Sequence, residues 1–463
     1  MNSNYKKLIV GIIISAIIIR IFLLFFAPLP MFADGVIRYL PDAEKVLRGD
    51  FSFNDVPLFT MIEAFWLFIF EGKVLWLVLK MTSLLFFFGI LLLLPPLLAK
   101  LHLDKKERFM VLALFLFSTW SLLLSVTVLQ DMALTFFALC LFLNIENYFE
   151  KPGRKSIILL ILLTFSMILS KLTGYIILSG FGLYILMKNE KFINKVKSLF
   201  CLSIGALMTL PWLIKNYLLT GKIYLTNFTP PQIYLHPISE YADYIIKAYH
   251  YFWEIPMPVK VGLKGGLLLF YNLYYLITLG ITLIVTLLII AGIVRYFKKY
   301  KQYLLLMIPL GCFIFYWVFV IYWGPHDAGR YFFPLLLFLF IFPVKLIGNI
   351  KKRGMRNIFY MIIAAFCILS VISALGITLH MYGIDSQILQ INKALQGSNA
   401  TGSFITNDEF TGSALTFYLE KPVIFGLKKN IRDNSIPCNG ELIFFSEDYD
   451  VFKENNEYRI CRR

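Results

Sequence analysis

The sequence predicts an all-α polytopic membrane protein of about 11 transmembrane helices. Interfacial helices are expected in the first external loop, and a small external α/β domain at the C-terminus. Two features of composition predict lipid as the solvent. Of the 463 residues, 59% are hydrophobic and only 16% are charged, whereas soluble domains carry about 25% charged residues. The mean hydropathy is +0.73. The third observation is spacing, because long apolar runs recur between short basic loops.

Eleven apolar runs are long enough, or nearly so, to cross a bilayer. They fall at roughly 8–27, 74–99, 109–127, 131–148, 156–170, 173–187, 197–214, 266–294, 302–322, 331–347 and 357–379. The first run is about 20 residues long, as a spanning helix requires, and it carries Arg20. No small-residue cleavage site follows it, so we expect a retained transmembrane helix and not a signal peptide.

The basic residues predict the orientation. Half of the 44 Lys and Arg residues lie in short loops near 6–7, 100–108, 151–155, 188–197, 295–301 and 345–356. The alternating short loops hold almost none. The positive-inside rule therefore places the N-terminus and the basic loops in the cytoplasm and the C-terminal region outside the cell. The net charge of +16 follows from this pattern, so we expect no nucleic-acid partner.

Two domains are expected, a transmembrane domain over 1–379 and an external domain over 380–463. The first external loop, 28–73, contains the apolar stretch LFTMIEAFWLFIF, which is too short to span and is expected to lie in the membrane interface. A second long external loop covers 215–265. In the tail, GSFITND, KPVIFG and ELIFFS are candidate strands and GSALTFYLE is a candidate helix.

The cysteines divide by location. Four lie in apolar runs, where packing is the expected role. Cys438 and Cys461 are the pair in the external tail, and a disulfide or two free thiols are both open alternatives there. The chain has no phosphate-binding glycine loop and no HExxH, so ATP-driven transport and zinc proteolysis by their usual motifs are not expected.

Polar residues gather at the predicted outer ends of the helices. Such residues are costly at membrane depth and so indicate function. Five separate tips supply them, namely Asp34, Gln130 with Asp131, Lys171, Trp212 with Lys215 and Asn216, and His326 with Asp327 and Arg330.

Each of these residues also has a structural alternative. Asp34 suits a cap before an interfacial helix that begins at Pro41 and ends at Gly49, and Asp131 suits the N-cap of its own helix. Lys171 and Arg330 are placed to reach lipid headgroups.

Other polar residues are expected to be structural or isolated. Arg20 and Lys80 lie nearer the membrane interior and are expected to form pairs within the bundle. His326 has no second His at ligand spacing, so no metal site is predicted around it.

The order of these tips resembles the membrane-embedded C-type glycosyltransferases, nearest to the protein O-mannosyltransferases and the aminoarabinose transferases of lipid A. The resemblance covers about residues 1–347. It rests on Asp34 with Tyr39 and Gly49, VPLFTM from Val56, LQDMALTFF with Asp131, LSKLTGY with Lys171, PWLIKNYLLTGKIY from Pro211, and GRYFFPLLLFL with Arg330, Tyr331 and Pro334.

Two departures affect the site. Gly35 stands where the family usually has a Glu after the acidic residue, and Tyr39 lies one residue further on than usual. Val56 stands where some relatives carry a lysine that holds lipid phosphate. The phosphate contacts must therefore come from elsewhere in this chain.

The resemblance implies transfer of a sugar from a polyprenyl-phosphate donor, either dolichyl or undecaprenyl, to the hydroxyl of a protein, lipid or glycan. Asp34 is the implied base, with Asp131 as a second carboxylate. Lys171, Arg330 and Lys215 are the implied phosphate ligands. A divalent ion between the two Asp residues is compatible with this chemistry but not required. Implied substrate contacts are Tyr39, Trp212, Asn216, His326 and Tyr331.

Two other functions fit the same charge pattern. A transporter or flippase of a lipid-linked sugar would share the polar groove, but it would usually show repeated halves and broken helices at the midplane, which the sequence lacks. A membrane scaffold with a sensory tail would need none of the site residues.

Overall fold

The computed structural model describes residues 3–27, 39–51, 56–101, 103–220, 253, 266–297, 308–309 and 328–397. In the C-terminal region it describes 403–406, 423–425, 441–445, 449–454 and 457–462. This part of the chain is mostly helical, as the sequence predicts.

The N-terminal half forms three long helices, each separated from the next by two shorter ones. They are α1 (Ser3–Phe26), α2 (Leu40–Leu47), α3 (Pro57–Ile69), α4 (Gly72–Lys100), α5 (Lys105–Leu116), α6 (Thr119–Leu124) and α7 (Asp131–Glu150). The helices α2 and α3 occupy the first predicted external loop. One face of α3 exposes Phe65, Phe68 and Ile69, as suits a helix that lies in a membrane interface.

The helices of the second half continue the bundle. They are α8 (Arg154–Ser170), α9 (Gly174–Met187), α10 (Phe192–Leu207), α11 (Leu210–Thr220), α12 (Gly266–Phe297), α13 (Ala328–Gly348) and α14 (Arg353–Gly397). Helix α7 lies in the middle, packed against α4, α8 and α13. Its central position makes its ends a natural place for polar residues from several helices to meet.

Six helical stretches among the described residues are long and apolar enough to cross a membrane, one of them, Phe192–Lys215, made of α10 and the first half of α11. They are Lys7–Phe26, Val74–Lys100, Asp131–Glu150, Phe192–Lys215, Leu273–Arg295 and Arg353–Leu379. The predicted number of about eleven is not confirmed, because other predicted spans form shorter helices such as the 14-residue α9. The predicted span 302–322 lies outside the described residues, apart from 308–309.

Two predicted spans are interrupted. The run 109–127 divides into α5, which ends at Leu116, and α6, whose N-cap is Ser118, with a hydroxyl that accepts the Ser121 N–H at 3.4 Å. The run 197–214 turns between α10 and α11, where Pro211 enters the first turn of the new helix. Both breaks lie inside apolar sequence, so a hydropathy profile cannot detect them.

The last helix is longer than predicted. Helix α14 continues to Gly397, past the predicted domain boundary at residue 380. Ile388 and Ile391 are fully buried, so helical periodicity continues after the apolar run ends at Leu379. The end of an apolar run therefore indicates where a helix leaves the lipid, but the helix itself can continue beyond that point.

The C-terminal region contains a five-stranded mixed sheet. Its strands are β1 (Ser403–Thr406), β2 (Val423–Phe425), β3 (Glu441–Phe445), β4 (Tyr449–Glu454) and β5 (Glu457–Arg462), in the order β2-β1-β5-β4-β3. Strand β1 is parallel to β2 and β5, and β4 is antiparallel to β3 and β5. The predicted helix GSALTFYLE lies outside the described residues, so the α/β domain stays a prediction.

Ion pairs tie the basic loops to one end of the bundle. Lys345 donates to Glu107 at 2.7 Å, and Lys188 donates to Glu146 at 2.6 Å. A further pair joins Lys100 to Glu150. These pairs bring together the ends of α4, α7, α9 and α13 and the start of α5. The basic loops therefore share one end, while the start of α7 lies at the other.

Two buried cations satisfy backbone carbonyls inside the bundle. The Arg20 guanidinium donates to the Leu116 carbonyl at 2.8 Å and the Ser121 hydroxyl at 2.7 Å, and lies 3.7 Å from the Phe87 ring. Lys80 Nζ donates to the carbonyls of Leu24 and Ala27 at 2.7 and 2.9 Å. Both cations are structural, as predicted, and the partners described for them include carbonyls at the ends of α5 and α1.

We expect Arg20→Met to destabilise the protein by about 2 kcal/mol, because it removes several buried hydrogen bonds and leaves the end of α5 without a donor. Unfolding of the purified protein in detergent measures the effect. Ile18→Met is the control, since Ile18 is 59% exposed on the same helix and should cost nothing measurable. Equal stability of the two variants would contradict the role given to Arg20.

Candidate functional site

The first feature of the site is an ion pair between two of the predicted polar tips. Lys171 follows the end of α8 in an extended conformation, with φ −164° and ψ 135°. Its Nζ donates to Asp131 Oδ1 at 2.6 Å. The pair is buried, with Asp131 fully inaccessible and Lys171 8% exposed. The structure therefore joins two candidates that are 40 residues apart in sequence.

The capping alternative for Asp131 is wrong. Asp131 is the first residue of α7, and the N-cap is Gln130, whose side chain makes no capping hydrogen bond. The carboxylate instead accepts the Lys171 ammonium. A negative charge at this position is also favoured by the positive end of the helix dipole.

A tight turn keeps Lys171 beside the start of α9. The Gly174 N–H donates to the Lys171 carbonyl at 2.8 Å. A Cβ at Gly174 would lie 2.9 Å from the Met167 carbonyl oxygen, so a side chain cannot be placed there without movement of the backbone. Glycine thus allows α8 and α9 to meet closely enough to hold Thr173 next to Lys171.

Further contacts extend the site toward the first loop. The Tyr175 hydroxyl bonds the Thr209 hydroxyl at the turn between α10 and α11. Trp212 and Lys215 follow on α11, and Lys215 Nζ donates to the Phe51 carbonyl at 2.9 Å. Contacts from α7, α8, α9 and α11 therefore run along one end of the bundle to the chain after α2.

Tyr39 is placed at the entry to α2. It is 1% exposed and its ring packs edge-on against Phe59 of α3, with the centroids 5.8 Å apart. Gly49 ends this helical unit with φ +74°, as the interfacial-helix alternative predicts. Tyr39 thereby joins α2 to α3.

Several predicted residues lie outside the described part of the chain. They are Asp34, His326 and Cys438. Arg330 and Tyr331 belong to the first turn of α13, Asn216 to α11 and Cys461 to β5, but their side chains are not described. Within the described ranges, no group of three or more His, Cys, Asp or Glu residues could hold a metal ion.

Sequence reasoning placed Gln130 at a polar tip beside Asp131 but gave it no role, and it missed Thr173. Gln130 is 1% exposed and Thr173 is 8% exposed. Gln130 Nε2 and Thr173 Oγ1 are buried with no hydrogen-bond partner among the described residues, and Trp212 Nε1 is in the same situation. The available signal was their position, since Gln130 precedes Asp131 and Thr173 lies two residues after Lys171.

Comparison with solved structures confirms the predicted resemblance to the C-type glycosyltransferases at the level of the fold. ArnT from Cupriavidus metallidurans in the apo state matches 91% of this chain and 86% of its own, with 12% identity and a TM-score of 0.53. The same protein bound to undecaprenyl phosphate matches 90% and 85%, with 13% identity and a TM-score of 0.55. No family model matches the sequence, and no curated protein matches it.

We expect Lys171→Met to cost about 3–5 kcal/mol of stability, because it leaves the buried Asp131 carboxylate without its ammonium partner. The double variant Asp131→Leu with Lys171→Met should recover most of that loss. Unfolding of the four proteins in detergent gives the coupling energy. A double variant that loses the sum of the two single losses would show that the pair is not coupled.

Proposed function

We propose that the protein is a glycosyltransferase that moves a sugar from a polyprenyl-phosphate donor to an acceptor hydroxyl at the outer face of the membrane. The observation that carries the proposal is the buried pair of Asp131 and Lys171 in a chain with the ArnT fold. Buried ionisable residues at the end of a membrane bundle indicate a functional site. The undecaprenyl phosphate bound to ArnT supports a lipid-phosphate carrier here.

The chemistry requires one proton acceptor and several cations. The acceptor hydroxyl attacks the anomeric carbon, the bond from that carbon to the phosphate oxygen breaks, and the lipid phosphate leaves with the electron pair. We assign Asp34 as the base that takes the hydroxyl proton. Asp131 is the second carboxylate and orients Lys171.

Positive charge stabilises the leaving phosphate. We assign this role to Lys171, Lys215 and Arg330, which belong to three different parts of the chain. Val56 supplies no charge, and its side chain is 1% exposed. Tyr39, Trp212, Asn216, His326 and Tyr331 are proposed substrate contacts, and the acceptor is a protein, a lipid or a glycan.

The proposed orientation places the N-terminus and the basic loops in the cytoplasm. In a variant without native cysteines, we expect Arg48→Cys to react with a membrane-impermeant maleimide on intact cells. Lys155→Cys should react only after permeabilisation. Both positions are exposed, so access to water is not limiting. The reverse pattern would invert the orientation and place the site on the cytoplasmic side.

Asp34→Asn should lower sugar transfer at least about 100-fold, because general-base catalysis contributes that much or more. The assay incubates purified protein with radiolabelled undecaprenyl- and dolichyl-phosphate hexoses and a crude acceptor extract. Asp50→Asn is the matched control from the same loop and should keep wild-type transfer, since Asp50 is exposed and has no proposed role.

Two results would contradict the proposal. Transfer by Asp34→Asn at the wild-type rate would remove Asp34 from the mechanism. Movement of the labelled lipid across vesicles containing the protein, without transfer to any acceptor, would establish a flippase instead.

A further inference from the structure

The starts of α7 and α9 hold two buried donors that no described group accepts. Gln130 is the N-cap residue of α7 and Thr173 is the N-cap residue of α9, and neither side chain makes a capping bond. Gln130 Nε2 and Thr173 Oγ1 have no partner among the described residues. Both side chains are more than nine-tenths buried.

Such groups are costly in this environment. A buried donor without an acceptor loses about 1–3 kcal/mol relative to a satisfied one. Thr173 would ordinarily satisfy the first amides of its helix. In α9 the amides of Tyr175 and Ile176 already bond the carbonyls of Leu172 and Thr173, at 3.0 and 2.9 Å. These two amides therefore do not need the Thr173 hydroxyl, which can bind another group.

These unsatisfied donors indicate which kind of ligand the site can bind. The amide of Gln130 donates and the hydroxyl of Thr173 can donate, and Gln130, the N-cap residue of α7, makes no side-chain capping bond. Lys171 lies two residues before Thr173 and pairs with Asp131, the residue after Gln130, and its ammonium offsets the negative charge of that carboxylate. A site of donors at a helix N-terminus suits an acceptor-only anion.

We propose that Gln130 and Thr173, with the start of α7, form a neutral cradle for a phosphate group beside Lys171. That this phosphate is the leaving group of the lipid donor rests on the proposed function. Neutral donors suit that role, because they stabilise charge as it develops on the leaving oxygen. Gln130 and Thr173 also supply hydrogen bonds to the phosphate, which the apolar side chain of Val56 cannot.

The test measures binding and stability separately. We expect Gln130→Leu and Thr173→Val each to weaken undecaprenyl phosphate binding about tenfold, since each removes a hydrogen bond to a charged group. The lipid-free variants should unfold at the same temperature as wild type or higher, because an unsatisfied donor has been removed. Neither measurement requires transfer, so the cradle can fail or succeed independently of the proposed reaction.

Matched controls come from satisfied polar groups of the same kind. Asn144 is a buried amide on α7 that donates to the Ser156 carbonyl at 2.9 Å, and Thr164 bonds the Leu160 carbonyl at 2.8 Å. Asn144→Leu and Thr164→Val should lower stability and leave undecaprenyl phosphate binding unchanged. Loss of stability in Gln130→Leu equal to that in Asn144→Leu would give Gln130 a structural role and overturn the proposal.

Three lipid and ion probes identify the group that is bound. Undecaprenol, which lacks the phosphate, should bind all variants equally, and an equal tenfold loss for undecaprenol would overturn the cradle. So would unchanged binding of undecaprenyl phosphate by both variants. Competition by millimolar inorganic phosphate in wild type, lost in the variants, would support the cradle and show that free phosphate also occupies it.

Discussion

The structure depends on one constraint, the need to satisfy every backbone polar group in a medium without water. At the end of α1 the Leu24 carbonyl would bond the N–H of residue 28, but residue 28 is a proline and has none. Lys80 donates to that carbonyl instead. Arg20 does the same for Leu116 at the end of α5. Buried cations thus let helices end inside apolar sequence, and these ends produce the turns from which polar residues project.

The candidate site follows the opposite arrangement. At the ends of α1 and α5, carbonyl acceptors are satisfied by cations brought from neighbouring helices. At the starts of α7 and α9, side-chain donors are left without described acceptors, on Gln130 and Thr173 respectively. The carbonyls at the ends of α1 and α5 are thus satisfied, whereas two of the unmet donors among the described residues belong to the segments that carry the Lys171–Asp131 pair. A helix start with unmet donors favours an anion, whereas a helix end whose carbonyls accept from a cation does not.

The sequence predicts those features of the site that carry charge. Asp131 and Lys171 are conspicuous because ionisable residues are rare in apolar runs, and the structure pairs them. Thr173 is not conspicuous, and Gln130 is noticed only as the neighbour of Asp131, because a neutral polar residue before a helix resembles an ordinary cap. Only burial and the missing acceptor distinguish them, and both are properties of packing. The sequence does not predict the partners of Lys80 either. An acidic side chain would be the usual expectation, and a backbone carbonyl acceptor cannot be recognised from residue types.

The position of Val56 explains how this chain can differ from the transferases it resembles. Val56 is the N-cap of α3, is 1% exposed and precedes Pro57. A lysine there would have to bury its charge or disturb the start of the helix. The cation described next to the first loop comes instead from α11, where Lys215 donates to the Phe51 carbonyl, five residues before Val56, and lies 5.3 Å from the Phe51 ring. A cation from α11 thus reaches the first loop, so under the proposed mechanism the loop that carries the base need not also carry a phosphate ligand.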